Sequence, residues 1–187
     1  MHRIIFHLGV SLDGFFEGPD ADISWHRVDE ELHTFFNREL ATSSAFLEGR
    51  VTYELMEAYW PTADENPEAS PAEVEFARIW RDMPKVVYSR TLDTVGPNAT
   101  VVRDVVPEEV RALQAQAGGD MVVGGPDLAA AFRAHDLIDE YRVFVNPVLL
   151  GQGRRMFGPS ETPTDLRLVE SRAFGNGVVM LRYERVR

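Results

Sequence analysis

The sequence predicts a single α/β domain: a central, largely parallel sheet covered by helices on both faces, with an antiparallel hairpin at one edge. Three observations predict it. The 187 residues fit one domain spanning 1–187, because a split would leave two pieces near the lower limit for a self-sufficient core. Short apolar segments alternate with helix-patterned ones along most of the chain, the order that gives parallel strands with crossover helices. The alternation ends in two strand-like runs about Gly175-Asn176-Gly177, a strong turn signal.

The elements follow in order. Arg3 to Val10 is rich in Ile, Phe and Val and predicts a buried strand. Ser11 to His26 carries repeated turn signals and predicts a long loop, a length often functional in compact domains. Asp29 to Leu40 sets Leu32, Phe35, Phe36 and Leu40 on one helical face. Ser44 to Glu48 predicts a strand and Arg50 to Tyr59 a helix, followed by an acidic, proline-bearing loop from Pro61 to Pro71. Ala72 to Trp80 is helical, and Lys85 to Ser89 and Thr100 to Arg103 are strands. Pro107 to Ala117 has proline at the first helical position and Gly118-Gly119 at its end. Met121 to Val123, the helix Pro126 to Ala134 and the strand Glu140 to Asn146 come next. A Gly-rich connection, Pro147 to Pro159, then leads to the hairpin of Leu166 to Phe174 and Val178 to Arg185.

Composition narrows the function classes. With 19 basic and 30 acidic residues the net charge is -11, so most of the surface repels nucleic acid and anionic membranes. A phosphate-bearing ligand therefore needs a local concentration of Arg, Lys and backbone N–H groups. No apolar run approaches the ~20 residues of a membrane span, and the N-terminus has no signal-peptide pattern. The absence of cysteine excludes disulfides, thiolate catalysis and thiolate metal sites, and a cytoplasmic location is expected. The five histidines show no metal spacing, and His26 beside Trp25 at the end of the long loop stands out among them. No G-x-S-x-G, H-E-x-x-H or G-x-G-x-x-G occurs.

Three places set glycine or a basic residue where a strand meets a helix, the position at which open α/β sheets bind ligands. In the first, Gly49 permits close backbone approach while Arg50 and Thr52 open a helix; an ordinary helix start with an exposed Arg uses the same residues. In the second, Ser89-Arg90-Thr91 flanks an Arg with two hydroxyls just past a strand, which suits a phosphate ester or equally a solvated strand end. In the third, Gly124-Gly125-Pro126 leaves bare N–H groups at a helix start, suited to a pyrophosphate or to a tight turn with no ligand. Asp13-Gly14 is a further turn candidate.

Taken in order, a strand, Ser11-x-Asp13-Gly14, a long loop, Gly49-Arg50-x-Thr52, Ser89-Arg90-Thr91 and Val123-Gly124-Gly125-Pro126 resemble the dihydrofolate-reductase-like superfamily. The nearest branch is the one named for the C-terminal reductase domain of the bifunctional riboflavin-biosynthesis protein, which Pro147-Val148-Leu149-Leu150-Gly151-Gln152-Gly153 with Phe157 also resembles. The resemblance implies a stand-alone member: an NADPH-dependent reductase, similar to 5-amino-6-(5-phosphoribosylamino)uracil reductase, that passes a hydride to a pyrimidine- or pterin-like heterocycle. It implies cofactor phosphates at Gly49, Arg50 and Thr52, the adenosine 2′-phosphate at Ser89 and Arg90, and the pyrophosphate and nicotinamide side at Gly124 and Gly125. The loop of Ser11, Asp13 and Gly14 would border nicotinamide and substrate.

Two departures accompany it. The riboflavin protein carries a zinc deaminase domain before this one, whereas this chain starts at the reductase's first strand and has no cysteine for such a site. Dihydrofolate reductase has an acid on its first helix, followed by Leu and then Phe; Glu31-Leu32-His33-Thr34-Phe35 fits that spacing, with Asp29 and Glu30 as neighbouring registers. Asp13 and Glu31 are accordingly the candidate acids or water-organisers. A homodimer is expected, from the resemblance and from apolar material around Val145 to Leu150. The competing class is a non-catalytic dimeric nucleotide-binding module, favoured if no acid stands on the substrate side.

Overall fold

The structure is a computed structural model that describes residues 2–116, 118–159 and 163–187. In chain order its elements are β1 (Ile4–Ser11), β2 (Phe15–Glu17), α1 (Glu30–Leu40), β3 (Ala45–Gly49), α2 (Arg50–Tyr59), α3 (Pro71–Asp82), β4 (Lys85–Tyr88) and β5 (Ala99–Val102). They continue with α4 (Pro107–Ala115), β6 (Met121–Gly124), α5 (Pro126–Ala134), β7 (Glu140–Asn146), β8 (Arg154–Arg155), β9 (Leu166–Ala173) and β10 (Val179–Arg185). Eight strands form one sheet in the order β5-β4-β3-β6-β1-β7-β10-β9. The first six run parallel, β10 runs antiparallel between β7 and β9, and β1 lies in the interior. This is the fold class that the order of sequence patterns predicts.

The strands read as apolar runs because both faces of the sheet are covered. Phe46 and Leu47 are neighbours in β3 and point to opposite sides. On one side Phe46, Val87 and Val122 meet Tyr53, Phe76 and Trp80 of α2 and α3. On the other, Leu47, Phe6 and Val123 meet Val110, Leu128 and Phe132 of α4 and α5. Helix α1 covers the β7–β10 end of the first side, with Leu32 and Phe35 against Phe144 and Met180. Each such large side chain taken fully out of water contributes about 1.5–3 kcal/mol, so these contacts decide which face each helix covers.

Local signals fix the helix starts. Asp29 accepts a hydrogen bond from Leu32 N at 3.0 Å and caps α1. Ser70 and Glu73 make a capping box ahead of α3, with Pro71 at its first position. The expected helix 107–117 ends at Ala115, and Ala117 lies outside the described residues.

Three connections differ from expectation. The loop expected from Pro61 to Pro71 instead begins within a 3-10 helix, Trp60–Glu65, pinned by Arg81 donating to both Asp64 carboxylate oxygens at 2.8 and 2.7 Å. The long first loop contains β2 and a 3-10 turn at Pro19–Ala21, and the Gly-rich connection contains β8. Strands β2 and β8 pair with each other outside the main sheet, so the two long loops brace one another.

Candidate functional site

Because six strands are parallel, their carboxyl ends fall along one edge, in the order Val102, Tyr88, Gly49, Gly124, Ser11 and Asn146. The three segments singled out in the sequence therefore lie side by side, with Asp13 just past β1, although Ser89-Arg90-Thr91 leads from β4 to strand β5 and not, as expected, into a helix. Helices α2 and α5 both start there, at Gly49 and Gly125, and neither has a side-chain cap on its first N–H groups. Those bare donors and the positive dipole ends make the edge attractive to anions.

Gly124 and Gly125 are held against α2. Gly125 has φ +83°, and a Cβ there would collide with the Thr52 hydroxyl, so the backbone comes as close to Thr52 as it does only because the side chain is missing. Beside this turn lies a residue that the sequence pattern left unremarked. Glu48, the last residue before Gly49, is 4% exposed, and its Oε2 has no hydrogen-bond partner. Its carboxyl would be 3.4 Å from a Cβ at Gly124. Burial pushes its pKa up to about 8, against the opposing pull of Lys85, so it holds a proton at neutral pH. The available signal was a lone acid closing the apolar run Ala45-Phe46-Leu47.

The cationic residues sit at the rim. Arg50 pairs with Glu54 at 2.8 Å, both half exposed, and Arg90 pairs with Asp104. Such exposed pairs contribute at most about 1 kcal/mol, so either guanidinium can leave its partner for a stronger anion. Ser89 accepts from Leu92 N at 2.9 Å, which folds the turn after β4. A cleft of about 350 Å³ opens beside it, lined by Ser89, Arg90, Arg103 and His135 among others. Arg103, which donates to Ser89 O at 3.1 Å, has no sequence signal, because its closeness to Arg90 arises only from the pairing of β4 with β5.

The two candidate acids have other attachments. Asp13 accepts from Ser11 Oγ at 2.6 Å and Gly151 N at 2.7 Å, and from Leu150 N at 3.1 Å. The Ser11 hydroxyl foremost, with those backbone donors, draws its pKa down to about 2. Asp13 thus clamps the first loop to the Gly-rich connection and has no proton to give at neutral pH. Glu31 turns toward the β9–β10 hairpin, where it accepts from Gly175 N at 3.0 Å. Its neighbours Asp29 and Glu30 face a cavity instead.

That cavity, of about 630 Å³, lies between α1, α2 and α3. His33 and Phe36 of α1, Tyr59 and Trp60 at the end of α2, and Glu73 and Phe76 of α3 line it with the two acids. Phe36 stacks edge-on against His7 and Phe144, at 5.0 and 4.7 Å, which ties the cavity to β1 and β7. Met56 also lines it, one helical turn beyond Thr52, so α2 joins the cavity to the strand edge. His26 closes over Gly9, a mid-strand glycine whose Cβ would be 2.7 Å from the imidazole. Asn146 accepts from Arg27 N at 2.8 Å and latches this segment over β7.

The chain is thus a three-layer α/β protein with a mostly parallel sheet, an anion-attracting strand edge and a neighbouring aromatic cavity. The family described as the RibD C-terminal domain matches residues 2–180, and the chain belongs to it. Two uncharacterized proteins of Bacillus subtilis (strain 168) are similar over nearly their full length. YyaP is 33% identical over 97% of this chain and 94% of its own, and YwjB 25% identical over 98% of each. A putative riboflavin biosynthesis protein from Shewanella sp. PV-4 has the same fold, with a TM-score of 0.78 at 21% identity over 100% of both chains. The diaminohydroxyphosphoribosylaminopyrimidine deaminase/5-amino-6-(5-phosphoribosylamino)uracil reductase of Thermotoga maritima matches with a TM-score of 0.68 at 15% identity, over 99% of this chain and 57% of that one. Among the described residues no helix is long and apolar enough to cross a membrane.

Proposed function

We propose that the protein is an NADPH-dependent reductase acting on a small heterocycle, working as a homodimer in a reducing, cytoplasm-like compartment. The observation that carries this reading is the alignment of Gly49–Thr52, Ser89–Arg90 and Gly124–Gly125 along one strand edge, in a chain of the RibD C-terminal family. What supports a dinucleotide is the uncapped start of α5 at Gly125, packed too close to Thr52 to admit a Cβ, the unpartnered Glu48 Oε2 beside it, and Arg90 and Arg103 at the cleft by Ser89.

In this reading the first N–H groups of α2 and α5 and the Thr52 hydroxyl hold the phosphates, with Arg50 closing over them. Ser89 and Arg90, joined by Arg103, meet the 2′-phosphate. When bound, NADPH supplies one hydride to an electron-poor C=N or C=O carbon, becoming NADP⁺, while one proton from water reaches the heteroatom. Asp13 keeps the first loop in place at that edge, and Glu31 orders the hairpin turn behind α1. His26 covers β1 at Gly9. A non-catalytic module would be favoured by a substrate side without acids; Asp29, Glu30 and Glu73 at the cavity weigh against it.

The test is titration of NADPH and NADH against wild type, Arg50→Ala and Arg90→Ala. A charge-assisted hydrogen bond is worth roughly 1.5–3 kcal/mol, more than the exposed pairs that now hold these arginines. NADPH should therefore bind better than NADH, and Arg90→Ala should weaken NADPH by about 10- to 150-fold while sparing NADH. Equal wild-type affinities, or equal losses of both cofactors in both variants, would remove the assignment.

A further inference from the structure

We infer that the cavity between α1, α2 and α3 selects an aromatic substrate that is neutral or positively charged and carries no phosphate. This rests on the reductase reading above, and it deepens that reading by naming the substrate class.

Size and walls come first. About 630 Å³ lies within the range of pockets that bury small organic ligands. Phe36, Tyr59, Trp60 and Phe76 supply flat apolar walls, with Trp60 and Phe76 packed edge to face at 4.5 Å. A ring fits such walls better than a sugar or an aliphatic acid does.

Charge then decides which ring. Asp29, Glu30 and Glu73 bring three carboxylates to the cavity, and among the described residues no Lys or Arg lines it. Their hydrogen-bond partners are neutral. Asp29 accepts from Leu32 N at 3.0 Å, Glu30 from Ala72 N at 3.1 Å, and Glu73 from Ser70 N at 2.8 Å and the Tyr59 hydroxyl at 3.1 Å. Burial lowers the His33 pKa, so the imidazole adds no cation at neutral pH. The helix starts of α1 and α3 offset part of this negative charge but do not reverse it. A phosphate dianion placed here meets three like charges, two from the start of α1 and one from α3. The cleft at Ser89 has the opposite balance, with Arg90 and Arg103 against the single carboxylate of Asp104. The protein thus sorts charge between its two hollows, phosphate to one and an unphosphorylated ring to the other. That differs from the phosphoribosyl-bearing uracil after which the Thermotoga maritima reductase is named.

Thiamine and thiamine monophosphate test this directly. Both carry the same aminopyrimidine and cationic thiazolium, and they differ only by a phosphate. Calorimetric titration of the full chain should show thiamine binding at least about tenfold tighter than its ester. Glu30→Gln/Glu73→Gln keeps the oxygen acceptors that cap α3 while removing two charges. It should narrow the ratio to below about threefold, because two of the three repelling carboxylates are then neutral. Equal or tighter binding of the ester to wild type, binding of neither compound, or an unchanged ratio in the double variant would each overturn the inference. The wild-type comparison stands even if the double variant fails to fold. Parallel NADPH titration separates the two readings: no NADPH binding with thiamine preferred removes the reductase and leaves the cavity, whereas NADPH bound with the ester preferred removes the cavity assignment alone.

Discussion

Glu48 shows how much a single residue can impose on this fold. In an exposed position a carboxyl at the end of β3 would be ionised at neutral pH; under α2, beside Gly124, it keeps its proton up to about pH 8. The unfolded chain releases that proton near 4.5, the ordinary value for the group. Between those limits the folded state binds more protons than the unfolded one, so stability is complete below about pH 4.5 and is lost progressively toward about pH 8. The slope from this one group reaches at most about 1.4 kcal/mol per pH unit. Glu48→Gln keeps the shape and removes the titration. Urea unfolding of wild type and variant at pH 5 and pH 8 should show the variant gaining far more over wild type at the higher pH. A gain that is the same at both values would mean that burial does not hold the proton. Asp13 is the opposite case: hydrogen bonds from Ser11, Gly151 and Leu150 favour its charged form, so it fastens loops and does not titrate near neutrality.

At the scale of elements, the start of α5 is the most demanding piece of backbone at the site. Gly125 combines a φ of +83° with a neighbour, the Thr52 hydroxyl, that occupies the place of a Cβ. Gly151 also has positive φ, +73°, but nothing lies within 4 Å of its Cβ position. Gly151→Ala should therefore cost only the backbone term, roughly 1 kcal/mol. Gly125→Ala should cost about 1–3 kcal/mol for its rarer conformation, with the steric clash added, and should also weaken NADPH. Chemical denaturation of the two variants checks this, and equal losses would count against the close packing of α5 on α2. The same elements show what the sequence makes legible. Strands β1, β3 and β6 announce themselves because burial on both faces demands largely apolar runs, and the glycines that end β3 and β6 mark their turns. The β2–β8 ladder does not, because Arg154–Arg155 is polar and becomes a strand only through its tertiary partner. The cavity is equally silent: its walls come from three helices, each of which spends its apolar stripe partly on the sheet. At the first turn of α1, three successive acids leave helical periodicity unable to say which faces inward, and packing gives that place to Asp29 and Glu30 over Glu31.

On the scale of the whole molecule, two opposing quantities govern self-association. A net charge of -11 repels a second copy at long range. Exposed apolar surface favours one: β9 closes an end of the eight-stranded sheet with Leu166, Leu168 and Val169 at 39, 51 and 41% exposure, and Leu149 stands 70% exposed on the Gly-rich connection. Within the stretch first expected to drive pairing, Val145 is instead partly buried against the core, which leaves Leu149 as its protruding member. A two-fold contact repeats each such side chain and can reach the ~1,000 Å² that a specific interface needs. Salt separates the two quantities, because it shortens the Debye length from about 30 Å at 0.01 M to about 10 Å at 0.1 M and leaves apolar burial intact. Sedimentation at micromolar concentration should therefore show a dimer that tightens as salt rises, and Leu168→Lys should weaken it if β9 forms the contact while Leu149→Ser should do so if the connection does. A monomer at every salt concentration would remove the dimer. A dimer that loosens with salt would mean that ion pairs hold it, which a surface of this net charge opposes.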